Sequence, residues 1–125
     1  MSYRHANPNP YGKTVGDCTV RAIALATNKS WVIVYLSLCI YGLIIGDMPS
    51  SNEVWMKYLS DNGWTFHRLQ DTCPFCYTVA DFANDNNRGT YIVGTGTHVV
   101  CIKQGDSMDA WNSEDKVPLF YFSKE

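Results

Sequence analysis

The spacing of apolar residues changes near Asn86-Asn87-Arg88-Gly89, and this change constrains the fold more than any other feature of the sequence. Before this turn, apolar residues recur three and four positions apart, which is the spacing of a helix face. After it, short stretches rich in β-branched and aromatic residues alternate with turn residues, as in hairpins. This order predicts the α+β class, with N-terminal helices packed on a C-terminal antiparallel sheet.

The same patterns predict the individual elements. The first fourteen residues are rich in Pro, Asn and Gly, and we expect an ordered irregular arm there, because proline restricts itself and its predecessor. Helices are expected at about 18–27, after residue 30, after the capping-box pattern at 50–53 and over 78–84. Strands are expected over 64–69, 90–93, 97–103, 108–112 and 117–122.

Length and composition limit the classes of protein. The chain has 125 residues and is 46% apolar, which fits one folded domain over residues 1–125. A net charge of −2 without a basic run argues against nucleic-acid binding. The longest apolar stretch, 31–46, is shorter than the roughly 20 residues of a membrane span, so we expect a buried helix and no membrane contact. No cofactor is expected.

Cysteine usage favours a reducing compartment. The N-terminus has no apolar signal region, and five cysteines are an odd number for a disulfide framework. We therefore expect a cytoplasmic protein. Cys73-Pro74-Phe75-Cys76 has the spacing of a redox pair or of half a zinc site. No partner motif completes a zinc site, so plain structural cysteines are the favoured interpretation.

Cys18 is the strongest candidate for a reactive group. It follows Gly16-Asp17 at an expected helix start, where the helix dipole and unpaired N–H groups favour the thiolate. A small buried cysteine is the alternative. Asp17 is the expected N-cap, its carboxylate accepting a backbone N–H. Arg21 lies one turn on, where it either pairs with Asp17 or docks an acidic substrate group.

His98 opens an apolar strand behind Gly94-Thr95-Gly96-Thr97, whose glycines would keep the approach free of side chains. A histidine satisfied on a half-buried strand is the alternative. If residue 98 or 100 pairs with 112 across a hairpin, Asn112 lies close enough to orient the imidazole. A register shifted by one residue moves Asn112 to the other face. Asp109 is then the fallback, but opposite Ile102 it would lie too far from His98 for a hydrogen bond.

A cysteine at the first helix, then a histidine opening a sheet strand, then Asn or Asp one strand later, resembles the papain-like cysteine peptidases. Several strings are also similar to those of short phage and bacterial proteins of that fold. They are Asn7-Pro8-Asn9-Pro10, Gly16-Asp17-Cys18-Thr19-Val20-Arg21-Ala22-Ile23-Ala24, Gly89-Thr90-Tyr91-Ile92-Val93, His98-Val99-Val100 and Asp109-Ala110-Trp111-Asn112-Ser113.

The resemblance implies a papain-like fold and a Cys18–His98–Asn112 catalytic triad that hydrolyses peptide, isopeptide or related amide bonds. Papain-like enzymes place a Gln before the cysteine to stabilise the oxyanion, and this sequence has none there. Asn7 or Asn9, with the Cys18 N–H, are the substitutes the sequence offers. The expected partner is a protein or peptide substrate, which would be a host protein in the host cytoplasm if a phage encodes the chain. The alternatives are an acyl transferase and an inactive papain-like module that binds a host protein.

Overall fold

The computed structural model describes residues 3–124, and these form helices packed on a single mixed sheet. The α+β class predicted from the sequence is therefore confirmed. The helices are α1 (Cys18–Thr27), α2 (Trp31–Ile45), α3 (Asn52–Asp61) and α4 (Val79–Asp85). The strands are β1 (Tyr3–His5), β2 (Trp64–Arg68), β3 (Thr90–Gly94), β4 (Val99–Lys103), β5 (Asp106–Asp109) and β6 (Phe120–Lys124).

The sheet has the order β1-β5-β4-β3-β6-β2. β1 runs parallel to β5, whereas the other neighbouring strands are antiparallel. The prediction of a purely antiparallel C-terminal sheet was therefore wrong at one edge, where part of the supposed irregular arm adds a strand. A strand of three residues has no readable periodicity, and its partner in the sheet lies about a hundred residues away in the sequence.

The hairpin between β4 and β5 is tighter than the sequence suggested. Lys103 pairs with Asp106, so only Gln104 and Gly105 form the turn. Both have positive φ, at 52° and 82°, as the twist of a two-residue hairpin requires. Cys101 pairs with Met108, and continuing this register brings residue 98 opposite 111 instead of 112. The predicted pairing was therefore off by one residue, which reverses the face of every later side chain.

Helices cover both faces of the sheet. Ile92 on β3 packs in an apolar cluster with Ile23 of α1 and Trp55 of α3. Its neighbour Val93 points the other way and packs with Phe82 of α4. Because successive strand residues face opposite sides, this alternation shows that β3 is buried on both faces. The cluster beneath α1 fixes the start of that helix against the end of the sheet.

Within residues 3–124, no helix taken singly is long and apolar enough to cross a membrane. Taken together, α1 and α2 have the length and apolar composition of a membrane span, but the two helices are bent by 119° at their junction.

Gly94 provides the first test of the packing. A Cβ placed there would lie 2.1 Å from Cζ of Phe120, so this glycine makes room for an aromatic ring. The sequence had suggested instead that it keeps the approach to His98 free of side chains. We expect Gly94→Ala to destabilise the protein by about 1–3 kcal/mol, because the ring must leave its place. Thermal unfolding measures this as a melting temperature lowered by several degrees.

Gly16→Ala is the matched control, since a Cβ at Gly16 meets nothing within 4 Å. Equal melting temperatures for the two variants would contradict the packing described for Phe120.

Candidate active site

Cys18 is the first residue of α1 and is half-buried. The first N–H groups of a helix have no partner within it, and the helix dipole favours negative charge at this end. Asp17 occupies the N-cap position as predicted, but its side chain makes no capping bond. The predicted role of that carboxylate was wrong: it binds side chains instead. The N–H groups beside Cys18 are thus left for other acceptors.

His98 reaches Cys18 from the loop that precedes β4. The backbone N–H of Thr95 donates to the His98 carbonyl oxygen at 2.8 Å, which fixes this turn. The His98 imidazole and the Cys18 thiol line the same cavity, and His98 and the Val99 backbone act together to lower the pKa of the thiol. The Nε2 atom of His98 is bonded to Oδ2 of Asp109, so Nδ1 is the ring nitrogen left for Cys18.

Asp109, and not Asn112, is the residue that contacts His98 in the structure. The tighter hairpin ends β5 at Asp109 and brings that carboxylate beside the imidazole. Asn112 lies in the exposed turn beyond, where its Oδ1 accepts the backbone N–H of Glu114 at 2.9 Å. The sequence offered Asp109 only as a fallback, because the shifted register considered there placed it opposite Ile102.

Arg21 holds the Asp109 carboxylate in place. Its guanidinium is 1% exposed and lies between two carboxylates. Nε donates to Oδ1 of Asp109 at 3.2 Å, and Nη1 is bonded to Oδ1 of Asp17. The predicted pairing with Asp17 is confirmed. The link to Asp109 was not predicted, and its only sequence signal was an arginine on an otherwise apolar helix face.

Trp111 covers the imidazole. Its ring stacks on His98 with centroids 4.7 Å apart, and the guanidinium carbon of Arg21 lies 4.8 Å from the Trp111 centroid. The stacked indole therefore restricts water at the imidazole that is bonded to Asp109.

The electrostatics favour an ion pair between the thiol and the imidazole. Burial alone would raise the pKa of Cys18, but the hydrogen bonds from His98 and the Val99 backbone and the charges of His98 and Arg21 lower it below its ordinary value. Burial alone would lower the pKa of His98, but hydrogen bonds to Asp109 and Cys18 raise it to about 9. By contrast, burial raises the pKa of Cys101 to about 12.

A cavity of about 260 Å³ opens beside Cys18 and His98. The residues that line it include Trp55, Phe120 and Asn52. The Nε1 atom of Trp55 donates to Oδ1 of Asn52 at 3.0 Å, which leaves the amide nitrogen of Asn52 as a donor. Asn52 was not recognised from the sequence, because it is the first residue of α3 and is far from Cys18 along the chain.

The predicted oxyanion donors Asn7 and Asn9 do not line this cavity. Nδ2 of Asn7 donates to the Lys13 carbonyl at 3.1 Å, and Nδ2 of Asn9 donates to Oδ2 of Asp17 at 3.3 Å. The Asn7 amide therefore bonds within the N-terminal arm, and the Asn9 amide joins the arm to Asp17 at the start of α1. Their predicted role is not supported by where the structure places them.

Cys73 and Cys76 are joined in a disulfide, whereas the sequence favoured plain structural cysteines over a redox pair there. The disulfide closes one short turn, and neither cysteine lines the cavity at Cys18. Among residues 3–124, no cluster of three or more His, Cys, Asp or Glu side chains could hold a metal ion. Cys18, Cys39 and Cys101 are free thiols.

The ion pair predicts the alkylation of Cys18. We expect iodoacetamide to label Cys18 rapidly at pH 6, far below the pH at which an ordinary thiol reacts, because the imidazolium stabilises the thiolate. His98→Ala removes that charge and shifts the onset of labelling to higher pH. Asp109→Asn shifts it in the same direction, because the pKa of His98 falls without the carboxylate. Mass spectrometry at each pH follows the modified peptide.

Asn112→Ala is the matched control and keeps the wild-type profile. A profile that moves with Asn112→Ala and not with Asp109→Asn would contradict the contact described for His98.

Comparisons of the chain with protein-family models, with curated proteins and with solved structures found no match. The α+β class is shown by the helices and the sheet themselves. The papain-like resemblance stays a prediction, carried by the sequence strings and by the order of Cys18, His98 and Asp109 along the chain.

Proposed function

We propose that the protein is a cysteine-dependent hydrolase of peptide, isopeptide or related amide bonds, with papain-like chemistry. Cys18 is the nucleophile, His98 the general acid and base, and Asp109 the residue that orients His98. The observation that carries this proposal is the placement of Cys18 and His98 at the wall of one cavity, with Asp109 bonded to the far side of the imidazole. Such an arrangement activates a nucleophile and fixes its base.

In the first half of the reaction, the Cys18 thiolate attacks the substrate carbonyl carbon and forms a C–S bond. The carbonyl oxygen takes up the electron pair and becomes an oxyanion. When this intermediate collapses, the C–N bond breaks and the leaving amine takes a proton from Nδ1 of His98. The product of this half is an acylated Cys18 and a neutral imidazole.

In the second half, the neutral His98 removes a proton from water, and the resulting hydroxide attacks the thioester carbon. The C–S bond breaks, the carboxylic acid leaves, and the thiolate–imidazolium pair is restored. Asp109 holds the ring in one orientation throughout and stabilises the imidazolium. The buried Arg21 is a positioning residue, because it acts through the Asp109 carboxylate.

Asn52 supplies the oxyanion donor that the sequence lacks before Cys18. Its amide oxygen is occupied by Trp55, so the amide nitrogen is available to the cavity wall that it shares with Cys18. The backbone N–H of Cys18, at the start of α1, is the second donor. Two such donors aimed at one oxygen are the usual arrangement for acyl transfer.

The cavity volume suggests the kind of substrate. About 260 Å³ is slightly below the usual range for small-molecule sites, so it accepts a single side chain or a short linear segment beside the reacting carbonyl. The Trp55 and Phe120 surfaces favour an apolar group at that place. A protein substrate in the cytoplasm, including a host protein, remains the predicted partner.

Hydrolysis tests the proposal directly. We expect the protein to cleave members of a peptide library derived from a whole proteome, with new termini mapped by mass spectrometry. Cys18→Ala abolishes cleavage, whereas Cys39→Ala, which removes a free thiol on α2, leaves it intact. Cleavage falls as the pH rises through about 9, because the imidazolium that protonates the leaving amine is then lost.

If Cys18 is reactive towards iodoacetamide but the wild type cleaves no peptide in the library, the amide-hydrolase proposal is wrong. If Cys18 is acylated and passes the acyl group to an acceptor other than water, the protein is an acyl transferase. If Cys18 is unreactive, the protein is a binding module.

Asn52 has its own test. We expect Asn52→Ala to lower kcat about 10²–10³-fold with little change in KM, because the donor acts on the oxyanion and not on the bound substrate. Alkylation of Cys18 stays at the wild-type rate, since iodoacetamide forms no oxyanion. Asn52→Asp keeps an acceptor for Trp55 but removes the donor, so recovery of kcat in this variant would show a merely structural role.

A further inference from the structure

One face of α2 is apolar and exposed. Val34, Leu38 and Gly42 bury the opposite face against the core. The exposed face carries Ile33, Leu36, Ile40 and Leu43, which we call the α2 seam, and Val32 and Ile44 flank it; their side chains are between 45% and 83% exposed. A single helix face with this much exposed apolar surface indicates a contact surface.

The seam has the spacing of a helix pair. Its residues follow one another at intervals of three, four and three, which is the a/d repeat of helices that pack side by side. The seam is about 15 Å long at 1.5 Å per residue. The stretch from Trp31 to Ile45 contains no Asp, Glu, Lys or Arg, so no charge interrupts it.

The seam is also symmetric about residue 38. Turning the helix end for end about that point brings Ile33 onto Leu43 and Leu36 onto Ile40. The same operation brings Val32 onto Ile44. A two-fold axis relates two copies of one surface in this way. Residue i of the first copy then contacts residue j of the second, and residue j of the first contacts residue i of the second.

We infer that two copies of this chain pair through the α2 seam, with the two α2 helices antiparallel about a two-fold axis near Leu38. Two charged residues outside the helix favour an antiparallel arrangement of the two α2 helices over a parallel arrangement. Lys29 and Asp47 flank α2 at its two ends, are exposed, and are equidistant from residue 38. Antiparallel pairing brings Lys29 of each copy towards Asp47 of the other, whereas parallel pairing would put like charges together.

Both groups keep capacity for such a contact. Asp47 accepts from the Met48 N–H through Oδ1 and from Ser51 through Oδ2, and a carboxylate has further acceptor sites. The Nζ atom of Lys29 lies 6.0 Å from the Tyr58 ring centroid and is exposed to solvent. Antiparallel helix dipoles add a smaller favourable contribution.

A lipid surface fits α2 less well. Helices that lie on membranes carry Lys and Arg on their polar face, whereas the other face of α2 is apolar and buried in the core. The chain also has a net charge of −2. None of the seam residues lines the cavity at Cys18, so this inference does not depend on the proposed function.

Sedimentation velocity tests the pairing. We expect the wild type to form dimers whose fraction rises with concentration. Leu36→Glu/Ile40→Glu raises the dissociation constant at least ~100-fold, because pairing would bury carboxylates without partners. Phe75→Glu, which changes an exposed aromatic residue away from α2, is the matched control and stays dimeric. Circular dichroism checks that each variant is folded.

Cross-linking tests the orientation and needs only mild substitutions. In a Cys18→Ser/Cys39→Ser background, we expect a short bis-maleimide to join Ile33→Cys to Leu43→Cys in a mixture of the two variants. Neither variant alone is cross-linked, because antiparallel helices hold the two copies of each position roughly 15 Å apart along the axis.

A wild type that is monomeric at several hundred micromolar would overturn the inference. So would dimers that persist in Leu36→Glu/Ile40→Glu, or cross-links within Ile33→Cys alone. Monomers that float with phosphatidylcholine–phosphatidylglycerol vesicles would assign the seam to a lipid surface instead.

Discussion

The buried guanidinium of Arg21 is the contact on which the rest of the site depends. It joins Asp17, at the start of α1, to Asp109, at the end of β5. Asp17 also accepts from the indole of Trp31, and the Asp109 carbonyl accepts from the hydroxyl of Tyr3. A buried charge is costly without partners, and removing one partner of such a pair costs about 3–5 kcal/mol. Folding therefore brings the helix, the arm and the sheet edge together at one place.

Charges of alternating sign run from that contact into the cavity. In order they belong to Asp17, Arg21, Asp109 and His98, and the charge of His98 favours the thiolate form of Cys18. Each charge has an opposite neighbour, which is why the pKa of His98 rises to about 9 and that of Cys18 falls although both are partly buried. The reactive pair is thus stabilised by groups that also hold the fold together.

The exposed apolar face of α2 has a simple origin. α2 packs mainly on α1 and α3 and buries one stripe against them, which consists of Val34, Leu38 and Gly42. The sequence predicted a buried helix because this apolar stretch is too short to span a membrane, and that prediction was right for one face only. Continuous hydrophobicity shows that a helix needs cover, but it does not show whether its own domain supplies that cover.

The local structure could be predicted from spacing along the chain: the helix beginning at Cys18, the position of α4, the strands after Gly89 and the pairing of Arg21 with Asp17 four residues away. These features depend on residues close together in the chain, where spacing and residue type suffice. Three other features depend on how distant parts of the chain pack: β1 joins the sheet, Asp109 and not Asn112 contacts His98, and Asn52 shares the cavity with Cys18. Each of these depends on strand register or on elements distant in sequence, and a shift of one residue in register moves a side chain to the opposite face.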